Sequence, residues 1–245
     1  MIIFDEKKYA ENMLKKGFMT NHKNVYELLI LSKYYYAEGL QHDEVKSKVV
    51  EFCEKYVDFF SIEEWYKIIN KTVDIAKKSK FTTGIKVEIT KNELDIIQKL
   101  EKLNEQKLAF VMLVLYKFYG YRKFEISIED LYRLCKLNIN SKTKLELLQS
   151  LTSKELIDIN MGSKRWVKFA EKDGDTIITI TNFDDYIFEY LKYIGEGKYG
   201  NCEECRKIIK LTSNRKSHCT DCWKIHRNEY QKKIMRNKRR KNVSI

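Results

Sequence analysis

Residues 147–159, LLQSLTSKELIDI, contain the change of apolar pattern that decides the fold. Leu148 and Leu151 lie at helical spacing, and a polar Thr-Ser-Lys-Glu turn separates them from the strand-like LIDIN. A helical period that gives way to a short apolar run predicts a helix followed directly by a strand. We therefore expect a helix over residues 141–153 and a strand over residues 156–160.

Short elements on either side extend this pattern. In chain order, the sequence predicts a strand at 124–126, a helix at 127–135, and further strands at 165–170 and 176–181. Asp173-Gly174-Asp175 is a hairpin signal between the last two strands. Helices, a small strand, a helix-turn-helix and a β-hairpin in this order resemble a winged-helix domain, and the resemblance covers roughly residues 91–182.

The chain before this region is predicted to be helical. Helices are expected at 5–16, 24–38 and 43–56, and from Ser61 onward. Ser61 with Glu64 and Thr90 with Glu93 match the capping box, and the second box should open a helix to about Asn104. Residues 106–119 are apolar on nearly every side, so this helix should lie at the centre of a core.

Four cysteines near the C-terminus have the spacing of a metal site. Cys202, Cys205, Cys219 and Cys222 form C-x2-C-x13-C-x2-C, and two such pairs complete the tetrahedral thiolate shell of a structural Zn²⁺. His218 and His226 lie beside the second pair and are alternative ligands. With four thiolates present, we expect them to surround the site or to lie on the surface.

Positive charge is concentrated in the same part of the chain. Residues 201–245 carry a balance of +10, whereas residues 1–200 carry +2. Trp223, Tyr230 and Ile234 should turn one side of a helix towards the metal module and leave the basic residues in solvent. Such a surface is typical of proteins that bind nucleic-acid phosphates.

The residues expected to contact nucleic acid lie in the helix and strands of the winged-helix region and in the C-terminal segment. They are Lys142, Lys144, Lys164, Arg165, Lys168, Arg215, Lys216, Lys224, Arg227, Lys232, Lys233, Arg236, Lys238, Arg239, Arg240 and Lys241.

The stretch from Cys202 to Arg227, CEECRKIIKLTSNRKSHCTDCWKIHR, resembles small zinc-ribbon or knuckle modules at the ends of uncharacterised proteins of low-GC bacterial phages and mobile elements. The shared features are the Asn-Arg-Lys step before the second cysteine pair and the basic helix after it. The resemblance implies binding to nucleic acid or to a protein partner, and it specifies no reaction.

The expected fold class is α+β, mostly α. In chain order the predicted parts are a helical domain (1–80), a winged-helix-like domain (85–194), a glycine linker (195–200), the four-cysteine zinc module (201–223) and a basic C-terminal helix or tail (224–245). Residues 195–200 also match G-x-G-x-x-G. We interpret them as a linker because a phosphate loop needs a strand before it and a helix after it.

Several classes of protein are not indicated. No hydrolase, metalloprotease or P-loop motif occurs, so we expect no enzyme, with a zinc-bearing nuclease as the alternative. The N-terminal MIIFDEKKYA has charges where a signal peptide would be apolar, and no apolar run is long enough to span a membrane. We expect a bacterial host cytoplasm, reduced cysteines, and a core position for Cys53.

The sequence as a whole favours a non-enzymatic DNA-binding accessory protein of a phage or mobile element. Such a protein would act in replication, recombination or its control. The alternative is a protein-interaction factor whose zinc module and basic helix dock on a recombinase, a polymerase or a host defence protein.

Overall fold

The computed structural model describes residues 2–20, 25–160, 164–213 and 216–242. The described residues form ten helices and three small antiparallel sheets, and the protein is 54% helical, which confirms the α+β, mostly α fold class. The chain divides into two compact units, and the division falls between Ile85 and Lys86. None of the described helices is both long and apolar enough to cross a membrane.

The first unit is built from four helices. They are α1 (Glu6–Lys16), α2 (Val25–Ala37), α3 (His42–Tyr56) and α4 (Ile62–Lys77). These match the predicted helices closely, although the expected start at Asn24 lies outside the described residues. Gly17 ends α1 at a φ of 86°, where an added Cβ would lie 2.7 Å from the ring of Tyr56, so glycine is required there.

Two carboxylates, Glu6 and Glu27, are buried in this unit. Glu6 accepts hydrogen bonds from Lys33 Nζ at 2.8 Å and from the backbone N–H of Thr82 at 2.7 Å.

The predicted capping box at Ser61 is wrong, because the Ser61 hydroxyl bonds to the Glu63 carboxylate at 2.6 Å and caps no backbone group.

The second unit begins with strand β1 (Val87–Thr90) and helices α5 (Lys91–Gln98) and α6 (Leu103–Phe118). The capping box of Thr90 and Glu93 is confirmed, since each residue's side chain accepts a hydrogen bond from the other's backbone N–H. α5 ends at Gln98, and the expected continuation to Asn104 is therefore wrong. Every residue from Leu108 to Leu115 is buried, so α6 is the central helix that its sequence predicted.

A three-stranded sheet follows α6. The elements are β2 (Phe124–Glu125), α7 (Ile128–Leu134), α8 (Ser141–Ser153), β3 (Ile157–Ile159) and β4 (Lys164–Val167). The strand order is β2-β4-β3, with both pairings antiparallel. Ser127 caps α7 through the Asp130 N–H at 3.1 Å, and Asn140 caps α8 through the Thr143 N–H at 2.8 Å. The change from helix to strand expected at residues 147–159 is present.

The predicted hairpin at Asp173-Gly174-Asp175 is wrong. Strand β5 (Thr176–Ile180) pairs antiparallel with β1, with Val87 opposite Ile180, and not with β4. The turn therefore connects two different sheets. Contacts with the start of α5 hold it there: the Lys91 N–H donates to the Asp175 carbonyl at 2.8 Å, and the Glu171 N–H donates to the Glu93 carboxylate at 2.7 Å.

The end of the chain contains α9 (Ile187–Tyr193), β6 (Tyr199–Asn201), β7 (Ile208–Lys210) and α10 (Thr220–Asn242). β6 and β7 form an antiparallel pair, and the ring of Tyr199 packs on that of Phe188 with centroids 5.1 Å apart. The expected linker at 195–200 is shorter than predicted, because Tyr199 and Gly200 already belong to β6.

Candidate metal centre

Two turns bring the four cysteines together. The first turn joins β6 to β7: the Cys202 N–H donates to the Lys207 carbonyl at 2.8 Å, and the Arg206 N–H donates to the Cys202 carbonyl at 2.9 Å. The second turn is the start of α10, where the Trp223 N–H donates to the Cys219 carbonyl at 2.9 Å. Cys222 therefore lies in the first turn of the long C-terminal helix.

The four sulfur atoms form one compact group. All of them lie within 4.8 Å of one another, and the Sγ atoms of Cys205 and Cys219 are 3.7 Å apart with no disulfide. A tetrahedral ion with metal–sulfur bonds of about 2.3 Å would separate its ligands by about 3.8 Å. Cys202, Cys219 and Cys222 are buried and Cys205 is exposed. The cluster predicted from the spacing is therefore present as a possible metal site.

The thiols of this cluster have uneven proton affinities. Burial alone would raise the pKa of Cys202, but backbone N–H groups of Cys205, Cys219 and Glu204 outweigh it and lower that pKa to about 6. Burial and the hydrogen bonds of neighbouring thiols raise the pKa of Cys222. Four adjacent thiols do not all ionise by themselves. A bound cation would favour the thiolate forms, because its positive charge compensates their negative charges.

The remaining two cysteines have a different environment. Cys53 and Cys135 are fully buried, and desolvation raises the pKa of Cys53 to about 12 and also raises that of Cys135. Thiols in such surroundings are unreactive packing groups. The prediction that Cys53 is a core residue is confirmed.

The structure corrects one of the expected nucleic-acid contacts. Arg165 is 4% exposed, and its Nη1 donates to the Ile126 carbonyl at 2.6 Å, so its guanidinium is turned into the protein. Two other expected contacts in this region remain accessible: Lys164 is exposed, and Lys168 is exposed and lies 3.6 Å from the Asp158 carboxylate.

The other expected contacts differ in accessibility. Lys142 is exposed on α8, and Lys144 is half-buried with its Nζ 5.6 Å from the ring centre of Tyr132. Lys216 is half-buried, and Lys224, Arg227 and Lys232 are exposed on α10. Arg215 lies outside the described residues. For six more of the expected contacts the structure describes the backbone, which lies in α10, but not the side chain: Lys233, Arg236, Lys238, Arg239, Arg240 and Lys241.

One expectation for α10 is wrong. Trp223, Tyr230 and Ile234 were expected to pack against the metal module, yet they are 52%, 67% and 37% exposed. The described side chains of α10 after Cys222 are all exposed, although His226 still lies 2.9 Å from the Glu204 carboxylate. The Arg227 guanidinium lies 5.3 Å from the ring centre of Trp223 on this open face.

A second group of side chains was only partly foreseen. Glu204, His218 and His226 place one ligand atom each within 4.8 Å of one another beside the sulfur cluster. The sequence drew attention to the two histidines, but not to Glu204. Its position in the middle of the first C-x2-C turn was the available signal.

Comparisons of this chain with protein-family models, with curated proteins and with solved structures gave no match.

Proposed function

We propose that the protein is a non-enzymatic DNA-binding accessory protein of a phage or mobile element. Its C-terminal module would be held by structural zinc. The observation that carries the proposal is the position of Cys222, which lies both in the sulfur cluster and in the first turn of a long basic helix. A bound ion would thereby fix the direction in which a dense row of cations leaves the protein.

The donor set supports zinc as the ion. Thiolates are soft ligands that suit zinc, and four of them close the coordination shell. The donor set would thus serve folding, since it leaves no position for a substrate. The module has a small apolar core, so the free energy of metal binding would replace the missing burial.

The topology of the second unit supports a winged-helix domain. α6, β2, α7, α8, β3 and β4 follow one another in the order of helix, strand, two helices and two paired strands, and β2 lies beside β4 in the same sheet. α8 takes the place of the recognition helix and exposes Lys142. The β3–β4 pair takes the place of the wing and exposes Lys164 and Lys168, while Arg165 is removed from the proposed contacts.

The distribution of charge supports DNA as the partner. Residues 201–245 carry +10, and Lys224, Arg227 and Lys232 are open to solvent. Affinity for a polyanion arises largely from the release of counterions and requires no base-specific contact. The basic helix would therefore supply affinity, and the winged helix would supply register on the duplex.

A competing function is docking on a protein such as a recombinase, polymerase or host defence factor. The exposed apolar side chains of α10 favour it, since Trp223, Ile225, Tyr230 and Met235 are all more than half exposed. The ion pair of Lys168 with Asp158 also reduces the positive charge available at the proposed wing.

The salt dependence of duplex binding tests the proposal. The full chain should bind DNA with an affinity that falls steeply as salt is raised. A variant with Lys224→Gln, Arg227→Gln and Lys232→Gln should lower the slope of log affinity against log salt by up to about 3, roughly one unit per lost phosphate contact. Fluorescence anisotropy with a labelled duplex measures both quantities.

A matched variant in the first unit controls for net charge. Lys67→Gln, Lys71→Gln and Lys77→Gln remove the same number of exposed cations from α4 and should leave the slope unchanged. If both variants lower affinity equally, binding depends on net charge alone. Absence of binding to any nucleic acid at low salt would reject the DNA proposal and favour a protein partner.

A further inference from the structure

The three side chains Glu204, His218 and His226 form a cluster that differs in kind from the four cysteines. The His226 Nε2 lies 2.9 Å from the Glu204 carboxylate, and the two imidazole rings have centroids 4.7 Å apart. Imidazole nitrogen and carboxylate oxygen are intermediate and hard donors, whereas the neighbouring cysteines are soft ones. The two clusters share no residue.

The fold of the metal module brings these side chains together from three places. Glu204 lies between Cys202 and Cys205 in the first turn, and His218 directly precedes Cys219. His226 lies one helical turn beyond Cys222, on the same side of α10. The same two turns that gather the sulfur atoms therefore gather the second set of ligands.

The ring nitrogens are suitably placed for a cation. The His218 Nδ1 is 2.8 Å from the Ser217 hydroxyl, which leaves the Nε2 of that ring as the available donor atom. The Glu203 carboxylate lies 4.0 Å from this Nε2 and adds negative charge beside the pair of rings. A metal-bound histidine usually has its other ring nitrogen hydrogen-bonded in this way.

We propose that Glu204, His218 and His226 bind a second divalent transition-metal ion, such as Zn²⁺, at a site separate from the sulfur cluster. A four-coordinate ion with bonds of about 2.0–2.2 Å requires its ligand atoms to approach to about 3.4 Å. The side chains of Glu204 and His226 are 46% and 50% exposed, so rotation in solvent can bring them to that distance. Three protein ligands leave a position for water, so this ion exchanges more readily than one enclosed by four thiolates.

Titration of the untagged full chain with cobalt tests this site. After one equivalent of Zn²⁺ has been added to the metal-free protein, further Co²⁺ should produce visible d–d absorption without the thiolate charge-transfer band. The absorption should saturate at one equivalent. Mass spectrometry under native conditions should then show two ions per chain.

Variants separate this site from an ordinary ion pair. His226→Ala and Glu204→Gln should each weaken binding of the second ion at least about tenfold, because the loss of a mere hydrogen-bonding partner of a ligand already costs about 10–100-fold. His42→Ala, which changes a histidine in the first unit, should leave it intact. One ion per chain at saturation, or a second ion unaffected by both cluster variants, would overturn the proposal. Neither result would bear on the sulfur cluster, because the first equivalent of Zn²⁺ occupies it in every variant and only the Co²⁺ added afterwards is measured.

Discussion

The centre of the second unit and its C-terminal metal module are stabilised in different ways. α6 buries every side chain from Leu108 to Leu115, and apolar burial contributes about 25 cal/mol for each Å² removed from water. In the module, Cys202, Cys219 and Cys222 pack with Ile209 and Leu211. A core of that size does not offset the conformational entropy of the residues that it orders. The comparison teaches that one unit of this chain combines a large apolar core with a segment whose own core is small and whose four cysteines form a possible metal site.

Removal of the metal should have the largest effect. Zinc contributes about 10–16 kcal/mol to the folding of small modules, so a strong chelator or Cys219→Ser should unfold residues 199–222. α6 should keep its structure. Hydrogen exchange measured by mass spectrometry should show loss of amide protection in the module and full protection in α6.

Cys53→Ala is the matched control, because it also removes a buried thiol. It should leave the metal content and the protection of the module unchanged. Amide protection of residues 199–222 that survives a strong chelator would mean that the module is stable without the ion, and the contrast with α6 would disappear.

The buried ion pair between Lys117 and Glu93 should have the next largest effect. Lys117 Nζ lies 2.7 Å from Glu93 Oε2, and the two side chains are 5% and 0% exposed. Lys117→Met leaves a buried carboxylate without its cation, which should lower the free energy of unfolding by about 3–5 kcal/mol. Urea denaturation measures this change.

An exposed ion pair provides the comparison. Lys48 and Glu51 also lie 2.7 Å apart but are 47% and 59% exposed, so Lys48→Met should cost less than about 1 kcal/mol. Equal effects of the two substitutions would show that the Glu93 carboxylate is solvated. Water would then reach the core around α6 despite the burial of its side chains.

Truncation within α6 tests whether apolar packing stabilises this region. Leu113 is fully buried, and Leu113→Ala should cost about 2–5 kcal/mol through lost burial and the cavity that remains. Leu145 on α8 is 50% exposed, and Leu145→Ala should cost less than about 0.5 kcal/mol. Thermal denaturation of both variants distinguishes the two positions, and a similar loss in both would contradict the central position of α6.

The parts of the fold that depend on nearby residues could be predicted from the sequence. The helices of the first unit, the capping box at Thr90 and the sulfur cluster all arise from residues close together in the chain. The pairing of β5 with β1 could not be predicted, because the hairpin signal at residues 173–175 indicates a turn without specifying which strands it joins. Strand pairing between distant segments is decided by tertiary contacts.

The burial of Arg165 could have been predicted from its position in a strand. Arg165 and Val167 lie two residues apart in β4. Residues two apart in a strand share a face, and both of these side chains are buried. Arg165 is the first residue of the strand predicted at 165–170, where alternation is the weakest guide to burial. Glu204 carries a weaker signal, because C-x2-C spacing marks the cysteines as ligands, whereas a single glutamate within that turn forms no ligand motif, and its contact with His226 is seen only in the structure.

Among the substitutions that remove a stabilising contact, the one at the cap of α8 should have the smallest effect. The Asn140 side chain accepts a hydrogen bond from the Thr143 N–H, and Asn140→Ala should lower the free energy of unfolding by about 1 kcal/mol. Asn140→Asp keeps an oxygen in the same place and should cost little. If both substitutions destabilise the protein equally, the contribution comes from packing of the loop and not from the cap. If Asn140→Ala costs as much as Leu113→Ala, local hydrogen bonding rivals burial in this unit.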